Sequence, residues 1–115
     1  MNHDRFTEEE RRAIDLFCDG DESFFLTYRE ACREQFRSDF QQADQQLAGS
    51  DLQAFRRTAH SLKSVLKSLG QPDLADQAAQ LERLVIDQPT SHWLPVWEQL
   101  RSGIAHAYVL DSDGT

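Results

Sequence analysis

The chain has 115 residues, of which 39% are hydrophobic, so it is long enough to bury one modest core and too short for two domains. Its formal net charge of −8 disfavours binding to nucleic acid or to an anionic membrane, because phosphate groups are bound by clustered Lys and Arg. No apolar run approaches the roughly 20 residues that span a bilayer, and the N-terminus lacks the apolar core of a signal peptide. We therefore expect a single domain over residues 1–115, located in the cytoplasm.

Two helix starts are indicated near the N-terminus. Thr7 with Glu10 forms a capping-box pattern and Gly20 is a typical stop, so a short first helix is predicted between them. Asp21 can then cap a second helix. This helix is predicted to run to about residue 47, because its apolar residues recur every three or four positions. These residues are Phe25, Tyr28, Cys32, Phe36, Phe40, Ala43 and Leu47.

The third helix is predicted over about residues 51–69. Ser50 with Gln53 again resembles a cap, and Gly70 is a typical C-terminal stop. Its apolar residues step by three or four, so at about 100° per residue they form one stripe that faces the core. They are Leu52, Phe55, Ala59, Leu62, Leu66 and Leu69.

Two further helices follow. Pro72 suits the first turn of a fourth helix, predicted over about residues 72–87, because a proline there loses no helical hydrogen bond. Thr90 or Ser91 can start the last helix, and Pro95 is expected in its first turn for the same reason. The apolar side of this helix consists of Trp93, Trp97, Leu100 and Ile104.

Four substantial amphipathic helices joined by short loops predict an all-α fold, an antiparallel up-and-down four-helix bundle with a short additional N-terminal helix. Short connections make sequential helices neighbours, and the first helix is expected to cap one end. The folded core is expected over about residues 7–109, with residues 111–115 disordered. Cys18 and Cys32 lie in apolar-periodic stretches without a CxxC spacing, which favours buried free thiols.

One histidine falls on the opposite side of the third helix. His60 lies about 130° from the centre of the apolar stripe, so its ring is predicted to face solvent. Arg56, Lys63 and Lys67 stand four residues before, three after and seven after it, and therefore share its face. We call these four residues the basic stripe. On an otherwise acidic chain, the basic stripe indicates an interaction with an anion.

Imidazole can act as a nucleophile near neutral pH without a neighbouring base, because much of it is neutral and has a nitrogen lone pair. Phosphoryl transfer spreads charge over three oxygens, which a cation such as Lys63 can stabilise. The sequence has no Gly-rich phosphate loop, no nucleotide motif and no carboxylate cluster beside the histidine. The sequence therefore offers none of the parts that a kinase needs, and we expect no cofactor or metal on this chain.

The motif around His60 resembles the signature of histidine-containing phosphotransfer (HPt) domains. In that family the phospho-accepting His is followed by an apolar residue at +2, Lys at +3, a small residue at +4, an apolar residue at +9 and Gly at +10. Two positions depart from the pattern: Ser64 stands where Gly is common, and Lys67 stands where a small residue is usual. The matching string is His60-Ser61-Leu62-Lys63-Ser64 through Leu69-Gly70, followed by Leu74 and by Leu81-Glu82.

The resemblance implies a phosphoryl carrier that is not an enzyme, with His60 as the phospho-acceptor on the second long helix. From their shared helix face we expect Lys63 in the phosphate environment, with Arg56 and Lys67 as weaker candidates. The long side chain of Lys67 could instead obstruct a docking partner. It implies a phosphorelay in which one response-regulator receiver domain donates the phosphoryl group from an aspartate and another accepts it. A sensor or hybrid histidine kinase is implied upstream, and Mg²⁺ is expected on the receiver. Met1 and the short tail favour a free-standing protein over a segment of a hybrid kinase.

A receiver domain must approach the imidazole closely, so the surface around it should combine short and apolar side chains. Ser61 and Ser64 are short enough for this approach. We expect a small, transient interface with micromolar affinity and a monomeric resting state. The apolar candidates, from the first helix and the start of the second, are Ile14, Phe17, Phe24 and Phe25.

Two alternatives stay open. A bundle of the same fold could serve as an adaptor whose His60 is never phosphorylated, because exposed basic faces are commonly only solvated and a fold does not prove a function. A metal-binding bundle would use Glu-x-x-His pairs on inward faces, and no glutamate here has a His three residues later. The four histidines also fall on separate segments: His3, His60, His92 and His106.

Overall fold

The computed structural model describes residues 5–110, which form five α-helices and no strand. The all-α prediction is therefore confirmed; the expected disorder of residues 111–115 concerns a segment outside this range. Within residues 5–110 no helix is long and apolar enough to cross a membrane. The helices are α1 Glu8–Phe17, α2 Glu22–Ala48, α3 Leu52–Ser68, α4 Pro72–Asp87 and α5 Thr90–Ala107.

The starts of α1 and α2 follow the predicted capping chemistry. The Thr7 hydroxyl oxygen accepts from the Glu10 amide at 3.0 Å, and the Glu10 carboxylate accepts from the Thr7 amide at 2.9 Å. These two bonds satisfy amides that a helix leaves without intrahelical partners. At α2, the Asp21 carboxylate accepts from the Phe24 amide at 3.0 Å. Both predicted starts are confirmed.

The predicted cap of α3 at Ser50 is wrong by one residue. Ser50 has φ of 56°, in the left-handed region, whereas an N-cap residue needs an extended backbone. Ser50 instead reverses the chain after α2, and the Asp51 carboxylate accepts from the Ala54 amide at 3.1 Å. Asp51 is therefore the N-cap of α3.

Gly70 ends α3 and also allows α1 to pack against the bundle. Its φ of 75° is in the left-handed region that favours glycine. A Cβ atom at this position would lie 2.7 Å from Glu10 Cα, closer than two carbon atoms can pack. Pro72 occupies the first turn of α4, as predicted.

The expectation that Pro95 lies in the first turn of α5 is wrong. The helix begins at Thr90, so Pro95 is its sixth residue and cannot donate the usual hydrogen bond to the carbonyl one turn earlier. The helix nevertheless continues, with Trp93 and Trp97 buried on either side of the proline. Burial of these two large aromatic side chains offsets the lost bond.

The four long helices form the predicted up-and-down bundle, in which each packs against the next and α5 returns to α2. Phe40 on α2 makes an edge-to-face contact with Trp97 on α5, with ring centroids 6.1 Å apart. Arg101 on α5 pairs with Asp44 on α2 at 2.6 Å. The apolar stripe of α3 is buried as predicted, except for a partly buried Leu52. The chain's two cysteines, Cys18 and Cys32, are buried and free within this core.

Candidate functional site

His60 lies on the exposed face of α3, as the helix periodicity predicted, with 59% of its side chain exposed. Its Nδ1 atom is 2.9 Å from Oε2 of Glu82 on α4. The same carboxylate binds Lys63 Nζ through Oε1 at 3.0 Å, and Arg56 Nη2 lies 3.9 Å from Oε2. One carboxylate on α4 therefore joins three members of the basic stripe on α3.

The ionisation of Glu82 decides which ring nitrogen is available for chemistry. Burial alone would raise the pKa of Glu82, but hydrogen bonds from Lys63 and His60, together with their charges, outweigh burial and lower the pKa below its usual value. An ionised carboxylate can only accept hydrogen bonds, so His60 Nδ1 must hold the proton between them. In the neutral ring, Nε2 then has the lone pair and is the nucleophilic atom.

Packing between α3 and α4 places Glu82 next to His60. Ala59, directly before His60, and Leu62, two residues after it, are buried. On α4, Leu81, the residue before Glu82, is fully buried. Because successive helical residues are separated by about 100°, burial of Leu81 turns Glu82 towards the α3 side of its helix. Glu82 is largely buried there, with only 14% of its side chain exposed. The packing thus places the largely buried carboxylate of Glu82 beside the exposed imidazole of His60.

Lys67 differs from the rest of the basic stripe. It is exposed, and within the described part of the chain its ammonium group makes no ion pair or hydrogen bond. It lines a groove of about 310 Å³ between α1 and the junction of α3 with α4. We call this the α1 groove; it is lined by Glu9, Arg12, Ala13, Leu16, Phe17, Lys67, Gly70 and Pro72.

The residues predicted for partner docking are divided between surface and core. Ser61 and Ser64 are exposed on α3. Phe17 is 53% exposed, and Phe24 is also exposed. The prediction for Ile14 is wrong, because this side chain is fully buried where α1 packs on the bundle and has no surface to offer a partner.

Phe25, the remaining apolar candidate, is also fully buried, in an edge-to-face contact with Phe6 at 5.7 Å between ring centroids. Two residues of the site were not singled out from the sequence. Leu16 is the most exposed apolar residue of α1, at 76%. Glu82 belonged to the quoted motif, but only the α3–α4 packing shows that it contacts His60.

The other described histidines lack this arrangement. His92 Nδ1 lies 3.0 Å from the amide oxygen of Gln88, which is uncharged. His106 is exposed on α5, on the groove that includes Gln99 and Ser102. Among residues 5–110, no three His, Cys, Asp or Glu side chains are grouped as a metal site would require. His60 is thus the histidine of this region that is paired with a carboxylate.

The fold and the site together define a helical bundle that displays a carboxylate-paired histidine on its second long helix. A family model described as "Hpt domain" matches residues 27–108, which is more than half of the chain, so this protein belongs to the Hpt domain family. The predicted family is confirmed. Hpt domains take part in phosphotransfer in two-component signalling, where they interact with receiver domains and histidine kinases. Comparisons with curated proteins and with solved structures gave no match.

Proposed function

We propose that this chain is a phosphorelay intermediate in which His60 accepts a phosphoryl group from the aspartate of one receiver domain and passes it to that of another. The observation that best supports this role is the 2.9 Å contact between His60 Nδ1 and Glu82 Oε2. It leaves Nε2 as the available nucleophile on a ring that is mostly exposed. Membership of the Hpt family supports the general function, and the direction of transfer and the site residues are our proposal.

In the proposed step, Nε2 of His60 attacks the phosphorus atom of an aspartyl phosphate. The N–P bond forms while the bond between phosphorus and the aspartate oxygen breaks, and the carboxylate leaves. Nε2 has no proton to lose, and the ring gains positive charge. The Glu82 carboxylate compensates this charge through the Nδ1 proton. Transfer to the second receiver is the reverse of this step with a different aspartate.

Lys63 is the cation placed best to stabilise the phosphoryl oxygens. It stands about one helical turn from His60, and an ammonium group has three N–H donors, of which Glu82 takes one at 3.0 Å. Arg56 has a smaller role in the proposal, because its 3.9 Å contact with Glu82 is too long for a hydrogen bond. Lys63 also helps to keep the pKa of Glu82 below its usual value, and so supports the Nδ1 proton indirectly.

The receiver domain is proposed to dock over the exposed face of α3, where Ser61 and Ser64 leave room around the imidazole. Exposed Phe17 on α1 extends this surface beyond α3. Mg²⁺ is expected on the receiver, so this chain acts as a carrier rather than an enzyme and needs no cofactor. A monomeric resting state is part of the proposal, because a stable homodimer across α3 would block the receiver.

Phosphoryl transfer from a labelled receiver tests the proposed function. The chain is incubated with a phosphorylated receiver domain and Mg²⁺, and we expect label on the chain that is lost in acid and retained in base. His60→Gln should abolish the label, while circular dichroism and melting temperature stay close to wild type because the side chain is exposed. His92→Gln is the matched control and should retain the label.

Two results would contradict the relay. Transfer to His60→Gln at the wild-type rate would show that another residue accepts the phosphoryl group. Receiver binding without transfer in any variant would identify the chain as an adaptor of the same fold, the alternative function that the exposed apolar residues also permit.

A further inference from the structure

We propose that Lys67 and the α1 groove form a partner-selecting site for receiver domains that present a carboxylate beside an apolar side chain. This inference rests on the proposed function, because it concerns the partner that His60 serves. It gives Lys67 a role in recognition instead of a role in the phosphate environment. The carboxylate would pair with Lys67, and the apolar side chain would pack on Leu16 and Phe17.

The position of Lys67 along α3 separates it from the phosphate. At about 1.5 Å per residue it stands roughly 10 Å along the helix axis from His60, whereas Lys63 stands roughly 4.5 Å away. Lys63 is also tied to the site through Glu82 at 3.0 Å. Lys67 has no such contact among the described residues, so its charge is available to a partner.

The charges on the rim of the α1 groove favour an acidic partner. Arg12 and Glu9 pair with each other at 3.4 Å, so they offset one another. Lys67 is therefore the rim charge that is not compensated within residues 5–110. A carboxylate placed on the rim would pair with Lys67, whereas a cationic group would be repelled by it.

The floor and wall of the α1 groove supply an apolar contact. Leu16 and Phe17 are 76% and 53% exposed, more than a monomer needs at adjacent positions on a short helix. Both line the same groove as Lys67. The groove is at the small end of the range of about 300–1,000 Å³ that ligand clefts occupy, which fits a side chain of a docked protein.

The charge distribution of the whole chain supports the same partner. The formal net charge is −8, yet residues 50–70 contain four basic residues and one acidic residue. An acidic receiver is repelled by most of the surface and attracted to α3, which would orient it towards His60 and Lys67. Lys67 then distinguishes between receivers, because like charges at a docked interface are costly.

Direct binding tests this inference without relying on phosphoryl transfer. Purified receiver domains from the same genome are titrated against the full chain as wild type, Lys67→Ala, Lys67→Glu and Arg57→Ala. Arg57 is the matched control, because it is an exposed cation on α3 that does not line the α1 groove. For the receivers that bind most tightly, we expect the affinity to fall about threefold with Lys67→Ala and about tenfold with Lys67→Glu. Arg57→Ala should change the affinity little.

A charge swap sharpens the test. Replacing the contacting carboxylate of the tightest receiver by lysine should restore its binding to Lys67→Glu. An unchanged order of receiver affinities in both Lys67 variants would overturn the inference even if His60 is phosphorylated. Conversely, binding that depends on Lys67 without any transfer to His60 would support the docking site and contradict the relay.

Discussion

Substitution of Glu82 separates the two ways in which this residue acts on His60. Glu82→Gln keeps an oxygen that can accept from Nδ1 but removes the negative charge, and Glu82→Ala removes both. The wild-type bond of 2.9 Å is charge-assisted, and such bonds are about twice as strong as neutral ones. We therefore expect the rate of phosphorylation of His60 to fall in the order wild type, Gln, Ala.

The magnitude follows from the change in hydrogen bonding. A hydrogen bond to a charged group contributes about 1.5–3 kcal/mol and a neutral one about 1 kcal/mol. His60 is 59% exposed and water competes for its ring, so the lower end of the charged range applies. The bond is already present before the reaction, so only its strengthening as the ring becomes positive lowers the barrier. A strengthening of about 1.4 kcal/mol corresponds to about a tenfold change in rate, the slowing expected for Glu82→Ala. Glu82→Gln should slow it by about twofold to fivefold.

Phosphoramidate, a small phosphoryl donor, allows this measurement without a partner protein. The fraction of phosphorylated chain is followed over time by intact-protein mass spectrometry, and the rates of the three proteins are compared at neutral pH. Glu98→Ala is the control, because Glu98 is an exposed carboxylate on α5 far along the chain from the site. Equal rates for wild type, Glu82→Gln and Glu82→Ala would refute the role of Glu82 in holding the Nδ1 proton.

Three further predictions concern the phosphate, the fold and the dependence on pH. Lys63→Ala should shorten the lifetime of the phosphorylated protein, measured as loss of label after donor removal. An unchanged lifetime would mean that Lys63 pairs with Glu82 but does not stabilise the phosphoryl group. Gly70→Ala should lower the free energy of unfolding by at least about 2 kcal/mol in urea denaturation, since its φ of 75° and the 2.7 Å approach to Glu10 both oppose a Cβ. The pKa of Glu82 is lower in the folded protein than its usual value of 4.5, so the ionised carboxylate stabilises the fold above pH 4.5. This stability is lost as the pH falls through the lowered pKa of the folded state. Glu82→Gln should therefore lose less stability than wild type on acidification. Parallel pH–stability curves for these two proteins would contradict that ion-pair contribution.

The helices were predictable because their signals are local. Caps, glycine stops and apolar periodicity act within one or two turns, and Thr7, Asp21 and Gly70 behave as these rules require. Ser50 is of a residue type that suits an N-cap, but it is not the cap of α3, because the reversal of the chain gives it a φ of 56°. Pro95 lies inside α5 because its cost is offset by burial of the neighbouring Trp93 and Trp97 in the bundle core, which a rule on proline position does not include.

The site was only partly predictable from the sequence. Exposure of His60 follows from the apolar periodicity of α3 alone. Glu82 is 22 residues after His60 in the chain, so their contact depends on how α3 packs against α4. Ile14 and Phe17 are both apolar residues of α1, and only the packing of α1 on the bundle shows that Ile14 is buried and Phe17 exposed.

The nitrogen atom that carries the phosphoryl group provides the most direct test of the proposed chemistry. The chain is labelled with ¹⁵N in its histidine rings and phosphorylated by a receiver domain, and NMR couplings between ³¹P and ¹⁵N identify the bonded atom. We expect one phosphohistidine, His60, with phosphorus on Nε2 and the proton still on Nδ1. Phosphorus on Nδ1, on another histidine, or on no histidine would contradict the assignment of His60 Nε2 as the phosphoryl acceptor.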